Sequence, residues 1–500
     1  MARNAPIVLR DLGLLIQVVG LMALLSLPVA LFFREHEAIP PLLITAGITF
    51  ALGFGTFWLF RRAGEPTLAH GMVISALGWL IVPLFGALPI YLISLRLVGA
   101  QGPEAAQTVV EFTKPLNAFF EGMSGYTGTG LTMALRPEDL PRTLQWWRSF
   151  MQWIGGVGVI LFMLVLVTGP GAHTLYYAEA RQEKIYPSIR STVRTIWWIF
   201  LLYTAGASLL FWAVGMPPWD ALNHAMTALA TGGFSIHSDS IAYYNSVKIE
   251  LATILVMILG ALSFAVHYQF LRDRRFNAFF EDPQSRWFLA LVTGGIVLLG
   301  LEGLFRLPGA LAFRQAAFQF SSALATAGLQ SVKSAELKGS SETAKLILAL
   351  AMVFGAAAGS TGGGMKMIRV LTLACGVRWH LRRLVSPRDI LVPFHLGRQS
   401  LKEEEAYARL TEAGILFILW WLFLALGVVV LLHLTPSGFS LGDIFFEVAS
   451  AQGNVGLSTG LTGPELPAAG KLMLCFNMWL GRLEIIPILL FLRALFRGLD

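Results

Sequence analysis

FFEGMSGYTGTGLT, Phe119 to Thr132, sets a run of Gly, Ser and Thr inside a chain that is 55% hydrophobic and only 13% charged. Soluble chains carry roughly a quarter charged residues, and the mean hydropathy here is +0.66. The polar island therefore stands in a protein built for lipid. Near the other end the chain repeats it. FFEVASAQGNVGLS, Phe445 to Ser458, aligns without gaps and keeps the FFE start, the Ser in sixth position and the Gly-Leu near the end. TALATGGF (Thr227 to Phe234) and SALATAGL (Ser322 to Leu329) match each other in residue type throughout. Together the four stretches put Gly130, Gly233, Gly328 and Gly456 in register, each followed by a large apolar residue. Six positions before each glycine stands Ser124, Thr227, Ser322 or Ser450. Repetition of this kind fixes architecture before any single motif does.

Around the stretches the hydropathy predicts membrane helices at 12–33, 40–60, 71–95, 143–168, 190–215, 247–269, 286–306, 343–374, 407–434 and 469–493. The expected fold is an all-α polytopic membrane protein, with two N-terminal helices and four pseudo-symmetric helix–pore-loop–helix units around a central pore. The divisions fall at 1–65 for the leading helices, then 66–180, 181–275, 276–400 and 401–500 for the units. The first apolar run is long enough to span, longer than the apolar region of a cleaved signal. Alternating sides from a cytoplasmic N-terminus gathers most of the 37 Lys and Arg on the side of both termini. Among them are Arg10, Arg61, Arg62, Arg181, Lys184, Arg272, Arg274, Arg275, Arg382, Arg383, Arg388 and Arg398. This is the positive-inside pattern, and it accounts for the net charge of +7 without a nucleic-acid partner. Cys375 and Cys475 offer neither a disulfide framework nor metal-ligand spacing.

A cation crossing a bilayer must exchange its hydration shell for other oxygens, and rings of backbone carbonyls can supply them. Aiming successive carbonyls at one axis needs unusual backbone angles, which glycine adopts without a Cβ clash. A short helix ahead of each loop would present its partially negative C-terminal end to the cation. Small residues also allow close helix packing, but that reading does not call for four copies in register. A phosphate-cradling loop is excluded, because no copy has Lys-Ser or Lys-Thr after the glycine.

On these residues the sequence resembles the Trk/Ktr/HKT superfamily of cation transporters over nearly its whole length. SGYTGTGLT, ATGGFS, ATAGLQS and GNVGLS look like its filter loops, and WIGGVG (Trp153 to Gly158) looks like the start of its first unit's second helix. The two leading helices and the length favour the TrkH/TrkG branch. The resemblance implies potassium uptake, with filter carbonyls from Gly128, Thr129, Gly130, Thr231, Gly232, Gly233, Thr326, Ala327, Gly328, Asn454, Val455 and Gly456. Two positions depart from the family pattern: Gly128, where Thr is common, and the pair Asn454-Val455. A glycine at position 130, where sodium-passing relatives carry Ser, resembles the potassium-selective type. The resemblance further implies a homodimer in the bacterial cytoplasmic (inner) membrane, seated on a nucleotide-binding regulatory subunit of TrkA type. No cofactor is implied beyond the transported potassium ion.

AAAGSTGGGMKMIR, Ala356 to Arg369, interrupts what should be a membrane helix. Gly359, Gly362, Gly363 and Gly364, with Ser360 and Thr361, weaken a helix by about 1 kcal/mol per Gly relative to Ala. Gly364-Met365-Lys366 is the wrong order for a nucleotide loop. A plain helix kink is the simpler alternative. The family counterpart is an intramembrane gate, which gives Lys366 and the glycine run a role below the filter. In the last helix GRLE places Arg482 and Glu484 near mid-span, where a charge costs roughly 2.5–3.5 kcal/mol unless it meets an interior or a water-filled cavity. The family's arginine projects into the pore, and an interhelical salt bridge is the alternative for either residue. The basic stretch from Lys366 to Arg409 can meet anionic membrane lipid or a soluble subunit. A rival reading as an intramembrane enzyme would use Ser235, His237 and Asp239, or His224. SIHSDS crowds these residues, and the outer vestibule is the expected place for His237 and Asp239. A proton- or sodium-coupled symporter would need ionisable groups in several spans, and His267 is expected at the membrane interface.

Overall fold

The computed structural model describes residues 5–158, 188–275, 277–387, 392–397, 399–435 and 437–498. Of the expected basic residues, Arg181, Lys184, Arg388 and Arg398 lie outside them, as does 159–168 of an expected helix. Among the described residues nearly every element is helical, apart from an antiparallel hairpin that pairs Phe394–Leu396 with Gln399–Leu401.

Six described helices are long and apolar enough to cross a membrane: Ala5–Phe32, His36–Leu59, Leu68–Glu104, Arg190–Ala213, Pro283–Gly303 and Glu403–Leu434. Apolar side chains on their outer faces, such as Ile418, Leu422 and Val429, are more than half exposed, which suits contact with lipid tails. The leading helices cross at glycines. A Cβ on Gly13 would stand 2.8 Å from the Gly53 carbonyl oxygen, and one on Gly53 would stand 2.6 Å from that of Gly13. Close backbone approach of this kind replaces the hydrophobic drive that lipid does not supply.

Three expected spans are broken rather than continuous. Val247–Ala261 and Phe264–Asp273 meet at 103°, with Ser263 capping the second piece through the Ala265 N–H. Glu342–Val353 and Met367–Val385 are separated by the glycine run. Ala468–Leu483 and Ile486–Arg497 are separated at Glu484 and Ile485, both left-handed with φ of +58° and +74°. Only the glycine run announced its break in the sequence.

At the centre sit four short helices, Pro115–Thr127, Pro218–Leu229, Gly309–Leu324 and Leu441–Gly453. Proline opens the first two and precedes the third, where its missing N–H costs nothing and its fixed φ suits a helix start. Ser440 and Asp443 form a capping box on the fourth. Asp443 also pairs with Lys345 at 2.8 Å, both side chains at most 4% exposed, which ties the fourth short helix to Glu342–Val353. The last turns of all four are buried. Buried helix ends must satisfy their orphan carbonyls internally, and this requirement shapes the loops that follow.

Candidate functional site

All four short helices stop in the same way. Gly128, Thr231, Thr326 and Asn454 are left-handed, with φ of +68°, +50°, +54° and +52°. Their N–H groups bond the carbonyls of Gly125, Ala228, Ala323 and Ala451. The next N–H in each loop, on Thr129, Gly232, Ala327 and Val455, reaches back to Ser124, Thr227, Ser322 and Ser450 at 2.8–2.9 Å. These are the two hydrogen bonds of a Schellman stop. The recurrent small hydroxyl residue thus marks the carbonyl that closes the motif. The first helix runs about one turn beyond Ser124, to Thr127.

One residue further on, Gly130, Gly233, Gly328 and Gly456 are again left-handed, at +85°, +82°, +71° and +109°. The loops meet through these glycines in cyclic order. A Cβ on Gly130 would fall within 3.0 Å of the Gly232 carbonyl oxygen, and one on Gly233 would stand 3.1 Å from that of Ala327. A Cβ on Gly328 would overlap the Val455 carbonyl, and one on Gly456 would overlap that of Thr129. The four stretches therefore close into a ring. All twelve loop residues expected at the site belong to it, and the four glycines line a cavity of about 250 Å³ on one side.

Both departures from the repeat have a backbone explanation. Left-handed geometry is an outlier for a β-branched residue and costs about 1–3 kcal/mol, so Thr231 and Thr326 carry strain that Gly128 avoids. Asn visits this region more readily. The Asn454 amide donates to Thr129 Oγ1 at 3.1 Å and to the Met478 carbonyl at 2.9 Å, clasping the first loop from the fourth. Gly128→Ala has room, its nearest atom being the Thr231 carbonyl oxygen at 3.8 Å. The expected cost is the backbone penalty of about 1–2 kcal/mol. It should be read as a lower unfolding midpoint with cation selectivity unchanged.

Two clamps escaped the sequence reading because their partners are far apart in the chain. Gln152 holds the second loop on both sides of Gly233. Its Nε2 donates to the Gly232 carbonyl, and its Oε1 accepts from the Phe234 N–H at 3.0 Å. Arg148, 1% exposed, pairs with Glu121 at 2.7 Å, donates to the Ser235 carbonyl at 2.9 Å and lies over the Phe234 ring. Gln152 and Arg148 are four apart on Arg142–Val157 and thus share one helix face.

The glycine run from Phe354 to Lys366 folds back on itself. Gly355 N–H bonds the Met365 carbonyl at 2.9 Å, and Met365 N–H bonds that of Val353 at 3.1 Å. It is stitched to the break at Leu262, Thr361 donating to the Gly260 carbonyl and Gly359 accepting from Phe264. Gly359 and Gly364 are left-handed at +73° and +70°. A Cβ on Gly363 would stand 2.5 Å from the Gly453 carbonyl oxygen, and one on Gly362 would stand 2.9 Å from Thr326 Oγ1. The run also touches the ring. Thr361 Oγ1 lies 3.2 Å from Thr231 Oγ1, and Gly363 N–H donates to Thr326 Oγ1 at 2.9 Å. Arg482 donates to the carbonyls of Thr361 and Gly156 at 3.2 Å and of Gly155, with its guanidinium over the Trp79 ring. Lys366 Nζ donates to the Gly362 carbonyl. Ser360 Oγ closes on the Ala357 carbonyl at 2.7 Å. The eight residues assigned to a gate are thus gathered between the ring and the breaks in the second and fourth units.

A family profile described as "TrkH: Cation transport protein" matches residues 43–497. The chain belongs to the TrkH family of cation transport proteins. An uncharacterized cation transporter of Methanocaldococcus jannaschii is 33% identical over 98% of this chain and 95% of its own length. The Trk system potassium uptake protein TrkH of Halomonas elongata is 30% identical over 98% of this chain and 99% of its own. The crystal structure of the potassium transporter TrkH from Vibrio parahaemolyticus superposes with a TM-score of 0.82 at 27% identity, covering 99% of this chain and all of that one. The protein is thus an integral membrane transporter, and the enzyme reading gives way to it.

Within a TrkH-type framework the rival's side chains have other work. Ser235 Oγ does meet His224 Nε2 at 3.0 Å, so the structure assembles more of a relay than SIHSDS suggested. Nδ1 of that ring, however, faces the Asp220 backbone carbonyl at 2.9 Å, and His224 is fully buried. His237 lines the cavity above the ring and pairs with Asp220 at 2.9 Å. Asp239 pairs with Lys333 at 2.9 Å. His267 is packed inside the protein. It is 1% exposed, contacts Tyr203 Oη at 3.1 Å, and bonds the Leu259 carbonyl at 2.8 Å next to the helix break.

Glu484 and Arg482 serve different partners. Glu484 forms an ion pair with Arg369, which lies just past the glycine run, so two broken helices are joined at their breaks. Its side chain is 7% exposed, and removing one partner of a buried pair costs about 3–5 kcal/mol. Glu484→Gln should therefore lower the unfolding midpoint sharply, and Glu484→Gln with Arg369→Gln should recover part of the loss. A double variant no better than the single one would show that the pair does not couple the two breaks.

Proposed function

We propose that the chain takes up potassium across the bacterial cytoplasmic (inner) membrane through a channel-like pore. The ring residues from Gly128–Gly130, Thr231–Gly233, Thr326–Gly328 and Asn454–Gly456 act as the selectivity filter, with their carbonyls replacing the ion's water. The observation that carries this reading is the paired left-handed backbone repeated in all four loops and closed into a ring. The run at 359–364 with Lys366 obstructs the path as a gate, and Arg482 adds a positive charge beside it. Both termini are cytoplasmic, the four units follow the divisions at 66, 181, 276 and 401, and the working form is a homodimer on a nucleotide-binding subunit of TrkA type. The relatives named for potassium uptake support the choice of ion. The test is reconstitution of the purified chain and measurement of rubidium uptake against sodium and imposed proton gradients. Flux that follows rubidium's own electrochemical gradient is expected. Saturable flux driven by a proton or sodium gradient would instead favour a coupled symporter.

A further inference from the structure

Three of the four loops are braced from behind by one repeated contact, between the residue two places after the ring glycine and the residue nine places before that glycine. Thr132 Oγ1 donates to the Glu121 carboxylate at 2.8 Å, Ser235 Oγ lies 3.0 Å from His224 Nε2, and Ser458 Oγ donates to the Glu447 carboxylate at 2.7 Å. The corresponding pair in the third unit is Gln319 and Gln330, and it does not form. Gln330 is drawn away, its N–H donating to Ser240 Oγ at 3.1 Å and its Oε1 accepting from Ser334 Oγ at 3.3 Å. Gln319 is left with neither its Nε2 nor its Oε1 in a hydrogen bond, although it is only 3% exposed. Gln319 lines a half-open cavity of about 370 Å³ whose wall is mainly apolar, with Leu299, Ala316 and Leu348 alongside the polar Glu302 and Ser341. Arg306 and Glu336, both exposed, also border it.

A buried amide with no partner is unfavourable, and the space beside this one could hold a partner. The cavity is more than twice the roughly 150 Å³ that accommodates benzene. The mainly apolar lining disfavours burying a charge beside the amide, while an amide that needs both an acceptor and a donor selects a neutral head that offers both. We infer that this cavity is a binding site for a small uncharged amphipath with a hydroxyl or primary-amide head and a short apolar body. Its head bonds Gln319 and supplies the third loop with the brace the chain omits. The effect on transport rests on the filter reading above, whereas binding does not.

Hexanamide serves as the probe and hexanoate as its charged counterpart, with the full chain purified in detergent. Hexanamide should raise the unfolding midpoint saturably, and hexanoate should not. Gln319→Leu keeps the bulk and removes both polar atoms, and should weaken the apparent affinity at least tenfold. Ala344→Leu narrows the cavity without touching the amide and should weaken it similarly. Equal responses from the wild type and Gln319→Leu, or no saturable response from the wild type, would overturn the site and leave water as its occupant. In vesicles, saturating hexanamide should raise the rubidium-to-sodium flux ratio at least twofold in the wild type and leave Gln319→Leu unchanged. Binding with an unmoved ratio would overturn the link to the third loop. Failure of the filter reading itself would be separate, visible as a lack of rubidium preference before any probe is added.

Discussion

Gly130→Ser should let sodium compete with rubidium and lower the rubidium-to-sodium flux ratio roughly tenfold, which corresponds to about 1.4 kcal/mol of lost discrimination. Gly130 sits at φ +85°, where an L side chain is strained, and any Cβ there falls within 3.0 Å of the Gly232 carbonyl oxygen. The neighbour is backbone, so the ring itself must shift. The Gly232 carbonyl is also the one held by Gln152, so the first and second loops are disturbed together. A substitution placed where the loops abut alters oxygen spacing, and spacing and field strength are what separate two monovalent cations. An unchanged ratio in well-folded protein would remove the filter role from the ring.

The second large effect is expected below the ring. Deleting Ser360 to Met365 takes away the span that meets Thr231 and Thr326, and Arg482→Ala removes the side chain that donates to the Thr361 carbonyl. Two unit charges at roughly 8 Å in an effective dielectric of about 20 repel by about 2 kcal/mol. Relief of that repulsion alone would raise rubidium flux by roughly tenfold or more. The deletion should raise it as well, by clearing the path. Vesicle flux measured per folded protein decides the matter. If both variants leave flux unaltered, or abolish it while the protein stays folded, the run is not a gate.

Much of this was legible because glycine leaves a mark at fixed spacing. Gly130, Gly233, Gly328 and Gly456 could be aligned by eye, and the left-handed angles explain why that residue type recurs. The long apolar helices were equally plain, since span length and hydropathy are local properties. The breaks at Leu262 and Glu484 were not, because neither carries glycine or proline at the break itself. There the chain turns on tertiary contacts, His267 bonding the Leu259 carbonyl and Arg369 meeting Glu484. Gln152, Arg148 and Gln319 stayed hidden for a related reason. An amide or guanidinium on an otherwise ordinary helix shows its purpose only once the loop it holds, or fails to hold, is brought beside it.

The hydroxyls of Thr231 and Thr326 have one further consequence. Both residues sit in a strained backbone region, and both have a partner in the run at 361–363. Under the proposed gate, any movement that opens the path withdraws support from two ring positions at once. By reciprocity, whatever occupies the ring must shift the balance between open and closed by the same free energy. Under the proposed function, rubidium, potassium and sodium differ both in how fast they pass and in how long they hold the passage open. The ion would act as ligand as well as cargo, with dwell times that track its fit.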